Sequence, residues 1–212
     1  MTDEYITISG AASKEIIINK SRFIGYASPC TDESEALMFI KKIREEHKTA
    51  THNCYAYIIG QNSGIIRYSD DGEPGGTAGL PILDVIRSRK IVNCCVVVTR
   101  YFGGILLGTG GLVRAYTSSC QEALNAAGIS VMKLSTVFHC SIPYGAWDKF
   151  RYAAERLPAR IEQIEYSSDI SFHLLCCSND IDTVLSKLMD ASDRKLEIIS
   201  HSESYISWPA DK

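Results

Sequence analysis

The apolar residues in the last third of the chain change their spacing in a fixed order, and this order limits the folds open to them. A spacing of two, typical of a strand, alternates with a spacing of three to four, typical of a helix. The predicted strands are residues 137–142, 160–166, 170–177 and 196–206, and the predicted helices are residues 146–157 and the segment capped by Asp180. The resulting order is βαββαβ, a ferredoxin-like or split-βαβ unit, which hosts many unrelated functions.

The preceding part of the chain predicts a second α+β domain with a different element order. Its predicted strands are residues 5–9, 15–18, 21–29, 53–59, 64–68 and 91–99, and its predicted helices are 32–48, 80–87 and 112–126. A chain of 212 residues has room for two ordinary domains. We therefore expect α+β domains at residues 1–133 and 134–212.

The composition is that of a globular protein, with 45% apolar and 22% charged residues. The longest apolar runs are far shorter than the roughly 20 residues that a membrane helix needs. The first residues are acidic and lack the basic start and apolar run of a secretory signal. We therefore expect a cytoplasmic protein with no membrane partner.

The eight cysteines favour buried packing over disulfide or metal chemistry. Two adjacent pairs, Cys94-Cys95 and Cys176-Cys177, lie in apolar, strand-like contexts, where neighbouring side chains point to opposite faces. Neither pair has the C-x-x-C spacing that zinc or a redox dithiol prefers. We therefore expect no resident metal and no cofactor.

Charge is distributed unevenly along the chain. Residues 1–133 carry 14 Lys and Arg against 13 Asp and Glu, whereas residues 134–212 carry 8 against 12, so the net charges are +1 and −4. Residues 85–121 contain no acid; their basic residues are Arg87, Arg89, Lys90, Arg100 and Arg114. Such a block favours an anionic partner if its residues form one patch on the surface. The alternative is that they are solvated and scattered over several faces, and then they indicate no partner.

Two glycine-rich segments, at residues 69–79 and 107–111, each precede a predicted helix. Unpaired N–H groups and the helix dipole favour an anion at a helix start, and glycine lets the backbone approach a phosphate closely. The candidate anion-binding or nucleic-acid-binding residues are Arg100, Tyr101, Gly103, Gly104, Gly108, Gly110, Gly111 and Arg114. Neither a phosphate-binding Walker loop nor a complete dinucleotide fingerprint is present. The alternative is that these glycines serve tight turns and close packing.

Two further groups of residues are candidates for chemistry. Asp70, Asp71 and Glu73 form the only dense acidic group in a loop, which suits Mg²⁺ or acid–base work, although turn chemistry with carboxylates capping amides is the favoured interpretation. His52 and Cys54 are two apart on a predicted strand, which suits a thiolate–imidazole pair. The alternative is a buried cysteine beside an edge histidine.

The first domain contains four long motifs: RYSDDGEPGGTAGLP at 67–81, VTRYFGGILLGTGGLVRAY at 98–116, SRFI at 21–24 and ATHNCYAY at 50–57. These motifs resemble those of the YigZ and YvyE proteins, the bacterial branch of the Impact family. The resemblance covers essentially the whole chain. It implies an N-terminal domain of the ribosomal protein S-five domain-two-like fold and a C-terminal ferredoxin-like domain resembling the last domain of elongation factor G.

The resemblance implies a link to translation, because eukaryotic Impact proteins regulate translation through the amino-acid starvation kinase pathway. We therefore favour a non-catalytic, translation-linked regulator that binds RNA or the ribosome through the Gly/Arg-rich site, with the acidic C-terminal domain contacting a protein. The alternative is an enzyme acting on a phosphorylated small molecule at the same glycine loop, with Asp71 or Glu73 as metal ligand or base. A protein-binding adaptor and a thiol enzyme using Cys54 are further possibilities.

Overall fold

The computed structural model describes residues 3–208, which divide into two compact units. The first unit extends to Val131, and the second is Met132–Trp208. Both contain helices and antiparallel strand pairs, so the chain has a mixed α and β architecture. Among the described residues, no helix has both the length and the apolar character needed to cross a membrane.

The first unit contains strands β1 to β6, helices α1 to α3 and the first residues of β7 (Ile129–Ile142). The strands are β1 (Glu4–Ile8), β2 (Ala12–Ile18), β3 (Ser21–Pro29), β4 (His52–Ile59), β5 (Ile65–Ser69) and β6 (Cys94–Tyr101); the helices are α1 (Glu33–Glu46), α2 (Gly79–Ser88) and α3 (Gly108–Ala127). Five of the strands form one sheet in the order β2-β3-β6-β4-β5, in which all neighbouring strands are antiparallel. Thus β6 is the central strand.

Both faces of this sheet are covered. Val96 and Val98 of β6 pack into the core formed with α2 and α3, while Cys95 and Val97 pack into a second core with α1. A strand that is buried on both faces reads as a continuous apolar run, which explains the CCVVV sequence of β6. Seven of the eight cysteines in the chain are buried, and all eight are free thiols.

The second unit follows the order β7 (Ile129–Ile142), α4 (Tyr144–Ala154), β8 (Ala159–Tyr166), β9 (Ile170–Cys177), α5 (Ile181–Ala191) and β10 (Glu197–Trp208), with β7 beginning before the unit boundary. Its strands lie in the order β10-β7-β9-β8. Alternate residues of the strands, such as Phe138 and Phe172, face a core that includes Phe150 of α4 and Leu188 of α5. The apolar periods in the sequence therefore mark the buried face of each element.

Several boundaries differ from those predicted. Helix α3 begins at Gly108, four residues earlier than predicted, because its packing on β2 and β3 outweighs the weak helix propensity of Gly110 and Gly111. Strand β7 begins at Ile129 instead of residue 137. Buried Ser135 and Thr136 interrupt the apolar alternation there, so the sequence pattern does not show the strand.

Candidate functional site

The first unit has a surface cavity of about 430 Å³ at which several sequence motifs meet. Its wall is formed by the start of β4, the acidic loop after β5, the end of β6 and the start of α3. Side chains from these four segments line it, including His52, Glu73, Arg100, Phe102, Leu106 and Thr109. Residues that are distant in sequence are thus brought to one place by the central position of β6 beside β4.

A buried ion pair forms the inner part of this cavity. Arg100 Nη1 donates to Glu73 Oε1 over 2.6 Å, and the two side chains are 6% and 3% exposed. The hydroxyl of Tyr116 donates to the same carboxylate oxygen over 2.7 Å. Burial raises the pKa of Tyr116 far above its ordinary value, so the phenol stays protonated. Arg100 is therefore buried in an ion pair with Glu73 and is not a free surface cation. Asp71 pairs with Arg44 instead.

His52 lies beside this ion pair in a defined tautomer. Its Nδ1 is 2.8 Å from the carbonyl oxygen of Asp71, which can only accept a hydrogen bond, so Nδ1 carries a proton. Its Nε2 lies 3.8 Å from Glu73 Oε2. In the neutral ring Nε2 is an acceptor, and it faces the carboxylate oxygen across this gap.

The two aspartates of the acidic loop are occupied by structural hydrogen bonds. Asp70 accepts from the backbone N–H groups of Gly76, Ala78 and Gly79, which caps the start of α2. Asp71 accepts from the Asn53 backbone N–H and pairs with the Arg44 guanidinium, each over 2.7 Å. This is the arrangement described by the turn-chemistry interpretation.

Cys54 and His52 do not hydrogen-bond to each other. The Cys54 thiol donates to the carbonyl oxygen of Asp70 over 2.9 Å, and its residue is fully buried. Burial raises the pKa of Cys54 to about 12, which keeps it a thiol at neutral pH. The geometry is that of a buried cysteine beside a partly exposed histidine.

The residues just after β6 serve packing and turns. Gly103 approaches the Lys20 backbone so closely that an added Cβ would lie 2.1 Å from it, while Gly104 has a φ of +83°. The Tyr101 hydroxyl bonds to His47 Nδ1, and its ring lies under the Arg22 guanidinium. Tyr101 is therefore engaged in a separate network.

The start of α3 is open and uncapped. Leu107, at the N-cap, makes no side-chain hydrogen bond, whereas Asp32 caps α1 and Asp70 caps α2. Gly108, with a φ of +69°, and Thr109 line the cavity, and Gly110 and Gly111 complete the first turn. The exposed Arg114 folds back so that its Nη1 would lie 3.7 Å from a Cβ at position 110. This end of α3 presents backbone N–H groups and a nearby cation to solvent.

The basic residues of the acid-free block do not form one patch. Arg100 is buried in its ion pair, and Arg114 lies at the start of α3. Arg89 donates to the side chain of Asn125, eleven residues further along α3, roughly 16 Å at 1.5 Å per residue. Arg87 and Lys90 flank Arg89 at that far end.

The structure also brings in residues that the sequence did not single out as site residues. Phe102 and Leu106 are 47% and 85% exposed and form an apolar wall of the cavity. Thr51 accepts from the Phe102 backbone N–H, and Tyr116 anchors Glu73. Large apolar side chains between glycines were the available signal for Phe102 and Leu106.

Comparison with known proteins agrees with the motifs. The model for the Impact N-terminal domain matches residues 19–124, which include every residue of the cavity. The chain is 39% identical to the IMPACT family member YvyE of Bacillus subtilis (strain 168), over 97% of this chain and 95% of that protein. It is 31% identical to YigZ of Escherichia coli (strain K12), over 88% and 92% of the two chains. A crystal structure of an hypothetical protein has a TM-score of 0.62 at 28% identity, over 93% and 97% of the two chains. The chain therefore belongs to the Impact family.

Proposed function

We propose that this protein is a non-catalytic, translation-linked regulator that binds RNA, free or within the ribosome, at the start of α3. Membership of the Impact family supports the link to translation, because the resemblance implies such a link through the eukaryotic members of that family. A cytoplasmic location goes with this role. The geometry of the site supports a partner that carries phosphate groups.

One observation carries the proposal of a phosphate-binding site. The N-terminus of the 20-residue helix α3 opens into the cavity without a capping side chain, and a buried arginine lines the same cavity. Unpaired N–H groups at a helix start are a common binding site for phosphate. A phosphate oxygen would complete the hydrogen bonds of this helix start.

The two arginines take different parts in this proposal. Arg100 lines the cavity and balances the charge of the Glu73 carboxylate in their ion pair. Arg114 is the solvent-exposed cation next to the first turn of α3. Arg114 is therefore the residue that we expect to contribute a salt-sensitive phosphate contact.

We also infer a fold for each unit. We infer the ribosomal protein S-five domain-two-like fold for the first unit, as the resemblance to the Impact family implies. The strand order β10-β7-β9-β8 with two helices supports a ferredoxin-like fold for the second. The net charge of −4 over residues 134–212 favours contact of this part with a basic protein surface.

An enzyme acting on a phosphorylated small molecule is the second candidate. It is supported by the facing of His52 Nε2 and Glu73 Oε2 in the same cavity, since this pair is suited to proton transfer. Turnover of a phosphorylated metabolite by the purified protein, lost in His52→Gln, would favour the enzyme over the regulator.

A negative charge introduced at the helix start tests the regulator. Thr109→Asp places a carboxylate in the first turn of α3, where it competes with phosphate, while Gln121→Asp makes the same charge change at an exposed position on the same helix. We expect Thr109→Asp to weaken binding of a fluorescent single-stranded RNA about tenfold or more and Gln121→Asp to change it less than about threefold.

A salt titration completes the test. Arg114→Ala should weaken RNA binding and lower the slope of log affinity against log salt by about one. Absence of salt-sensitive binding to RNA and to ribosomes would overturn the proposal. Equal effects of Thr109→Asp and Gln121→Asp would move the binding surface away from the start of α3.

A further inference from the structure

When the His52 ring is neutral, two hydrogen-bond acceptors face each other in the cavity. His52 donates from Nδ1 to the Asp71 carbonyl, so the Nε2 of the neutral ring is an acceptor. Glu73 Oε2 lies 3.8 Å away, and neither atom receives a hydrogen bond from residues 3–208. Facing acceptors repel unless a donor lies near both of them, so this corner of the cavity is suited to a ligand that carries hydroxyl groups.

A second corner has donors without acceptors. Arg100 is 5% exposed, its Nε has no hydrogen-bond partner among the described residues, and it lines the cavity together with Gly108 and Thr109 at the uncapped start of α3. The open N–H groups at the start of α3 are suited to an anionic, acceptor-rich group such as phosphate, with the positive charge of the Arg100 guanidinium in the same cavity. Because Arg100 balances the charge of Glu73, the carboxylate leaves no net negative charge to repel that group.

The third part of the cavity is apolar and flat. Phe102 is 47% exposed, and Leu106 is 85% exposed. An exposed aromatic ring beside a basic site is the usual platform for a nucleic-acid base. The cavity volume of about 430 Å³ lies within the range of small-ligand pockets, roughly 300–1,000 Å³.

We propose that the cavity binds a single ribonucleotide with a 5′ phosphate and a free 2′,3′-diol. The phosphate occupies the start of α3 beside Arg100, the base lies on Phe102 and Leu106, and the two vicinal hydroxyls donate to Glu73 Oε2 and His52 Nε2. A carboxylate receives ribose hydroxyls in this way in other nucleotide sites. The inference rests on the proposed function and names its ligand.

The diol restricts the ligand to two sources. Within an RNA chain only the 3′-terminal nucleotide has both hydroxyls free, and outside a chain any free nucleotide with a 5′ phosphate has them, such as a nucleoside 5′-monophosphate. An internal nucleotide lacks the free 3′ hydroxyl, so one of the two acceptors would stay unpartnered. The cavity therefore prefers an RNA 3′ end or a free nucleotide to the interior of an RNA chain.

The test uses the unaltered protein and changes the RNA, so that folding is not at issue. A single-stranded RNA labelled at its 5′ end is compared with the same RNA after periodate oxidation of its terminal diol, with a 3′-phosphorylated form and with a form ending in a 2′-deoxynucleotide. We expect each modification to weaken binding about tenfold, which corresponds to about 1.4 kcal/mol. AMP competes with the unmodified RNA if a free nucleotide is also a ligand.

Two variants locate the effect. Phe102→Ala should weaken binding of the unmodified RNA at least about fivefold by removing the stacking surface. Met38→Ala removes an exposed apolar side chain from α1 that does not line the cavity, and should have no effect. His52→Gln should reduce the preference for the diol over its oxidised form.

The outcomes separate this inference from the proposed function. Salt-sensitive RNA binding with no preference for the 3′ diol would overturn the ribonucleotide pocket and leave RNA binding intact. Binding of AMP but not of AMP with an oxidised diol, with no binding of any RNA, would support the pocket for a free nucleotide and overturn the regulator that binds RNA. Binding of neither RNA nor AMP would overturn both.

Discussion

Arg100 and Glu73 lie 27 residues apart in the sequence and form a buried ion pair with 2.6 Å between Nη1 and Oε1. The pair joins the end of the central strand β6 to the loop that follows β5. The glycine-rich and acidic motifs therefore meet at one cavity.

Removal of one partner of this pair should destabilise the first unit strongly. Glu73→Ala leaves the Arg100 guanidinium buried without a counter-charge and the Tyr116 hydroxyl without its acceptor. We expect a loss of about 3–5 kcal/mol in the free energy of unfolding, measured by urea denaturation.

Two control variants test whether the loss of stability comes from an unpaired buried charge. Glu15→Ala removes a carboxylate from an exposed ion pair with Arg22, so it should change stability little. The double variant Arg100→Met, Glu73→Leu should lose less stability than Glu73→Ala, because it leaves no unpaired buried charge. A stable Glu73→Ala protein would contradict the structural role of the pair.

Asp70 should matter for stability through the start of α2. Its carboxylate accepts three backbone hydrogen bonds, from Gly76, Ala78 and Gly79. We expect Asp70→Ala to cost about 1–2 kcal/mol, measured by thermal and urea unfolding, since three N–H groups lose their acceptor. Asp32→Ala at α1, which loses one such bond, is the matched comparison and should cost less. If the two variants unfold alike, the extra bonds of Asp70 contribute nothing.

Two glycines of the same motif should respond oppositely to alanine. A Cβ at position 103 would lie 2.1 Å from the Lys20 backbone, which cannot move without disturbing the turn between β2 and β3. Gly110 lies in α3, and its Cβ would meet only the flexible end of Arg114 at 3.7 Å. We expect Gly103→Ala to lower the melting temperature by several degrees and Gly110→Ala to leave it equal or higher, because alanine favours helix by up to about 1 kcal/mol. The reverse order would contradict the close packing at Gly103.

The buried thiols should make the protein less stable at alkaline pH. Burial raises the pKa of Cys54, Cys120, Cys140 and Cys176 to about 12, above the value of about 8.5 for a thiol in an unfolded chain. Below about pH 8.5 both states hold the proton, so the stabilisation is complete. Above it the unfolded chain releases protons that the folded protein keeps, and stability falls by up to about 1.4 kcal/mol per pH unit for each thiol.

The Cys54→Ala variant isolates one of these thiols. Urea denaturation between pH 8 and pH 10 should give a slope of stability against pH that is smaller than that of the unaltered protein by the share of one thiol. An unchanged slope would mean that the Cys54 thiol titrates as it does in the unfolded chain. The same thiol should resist alkylation in the native protein at pH 8.

The sequence predicted the element types because most helices and strands bury one face. In α1, Ala36, Ile40 and Ile43 follow a helical period, and in β9 the buried residues alternate from Ile170 to Leu174. The boundaries were less accurate at α3 and β7, where glycines and small buried polar residues weaken those periods. The spacing of apolar residues therefore indicates which face of an element is buried. It does not indicate where tertiary packing lengthens a helix or strand beyond that pattern.

The site divides in a similar way between sequence and structure. The motifs supplied the glycines, the acidic loop and Arg100, and predicted an anion at a helix start. The folded structure was needed to show that Arg100 pairs with Glu73, that Asp70 and Asp71 are occupied by backbone and arginine partners, and that Phe102 lines the cavity. These contacts join β4, the acidic loop, β6 and α3, and their partners are set by strand order and register, which local propensity does not contain.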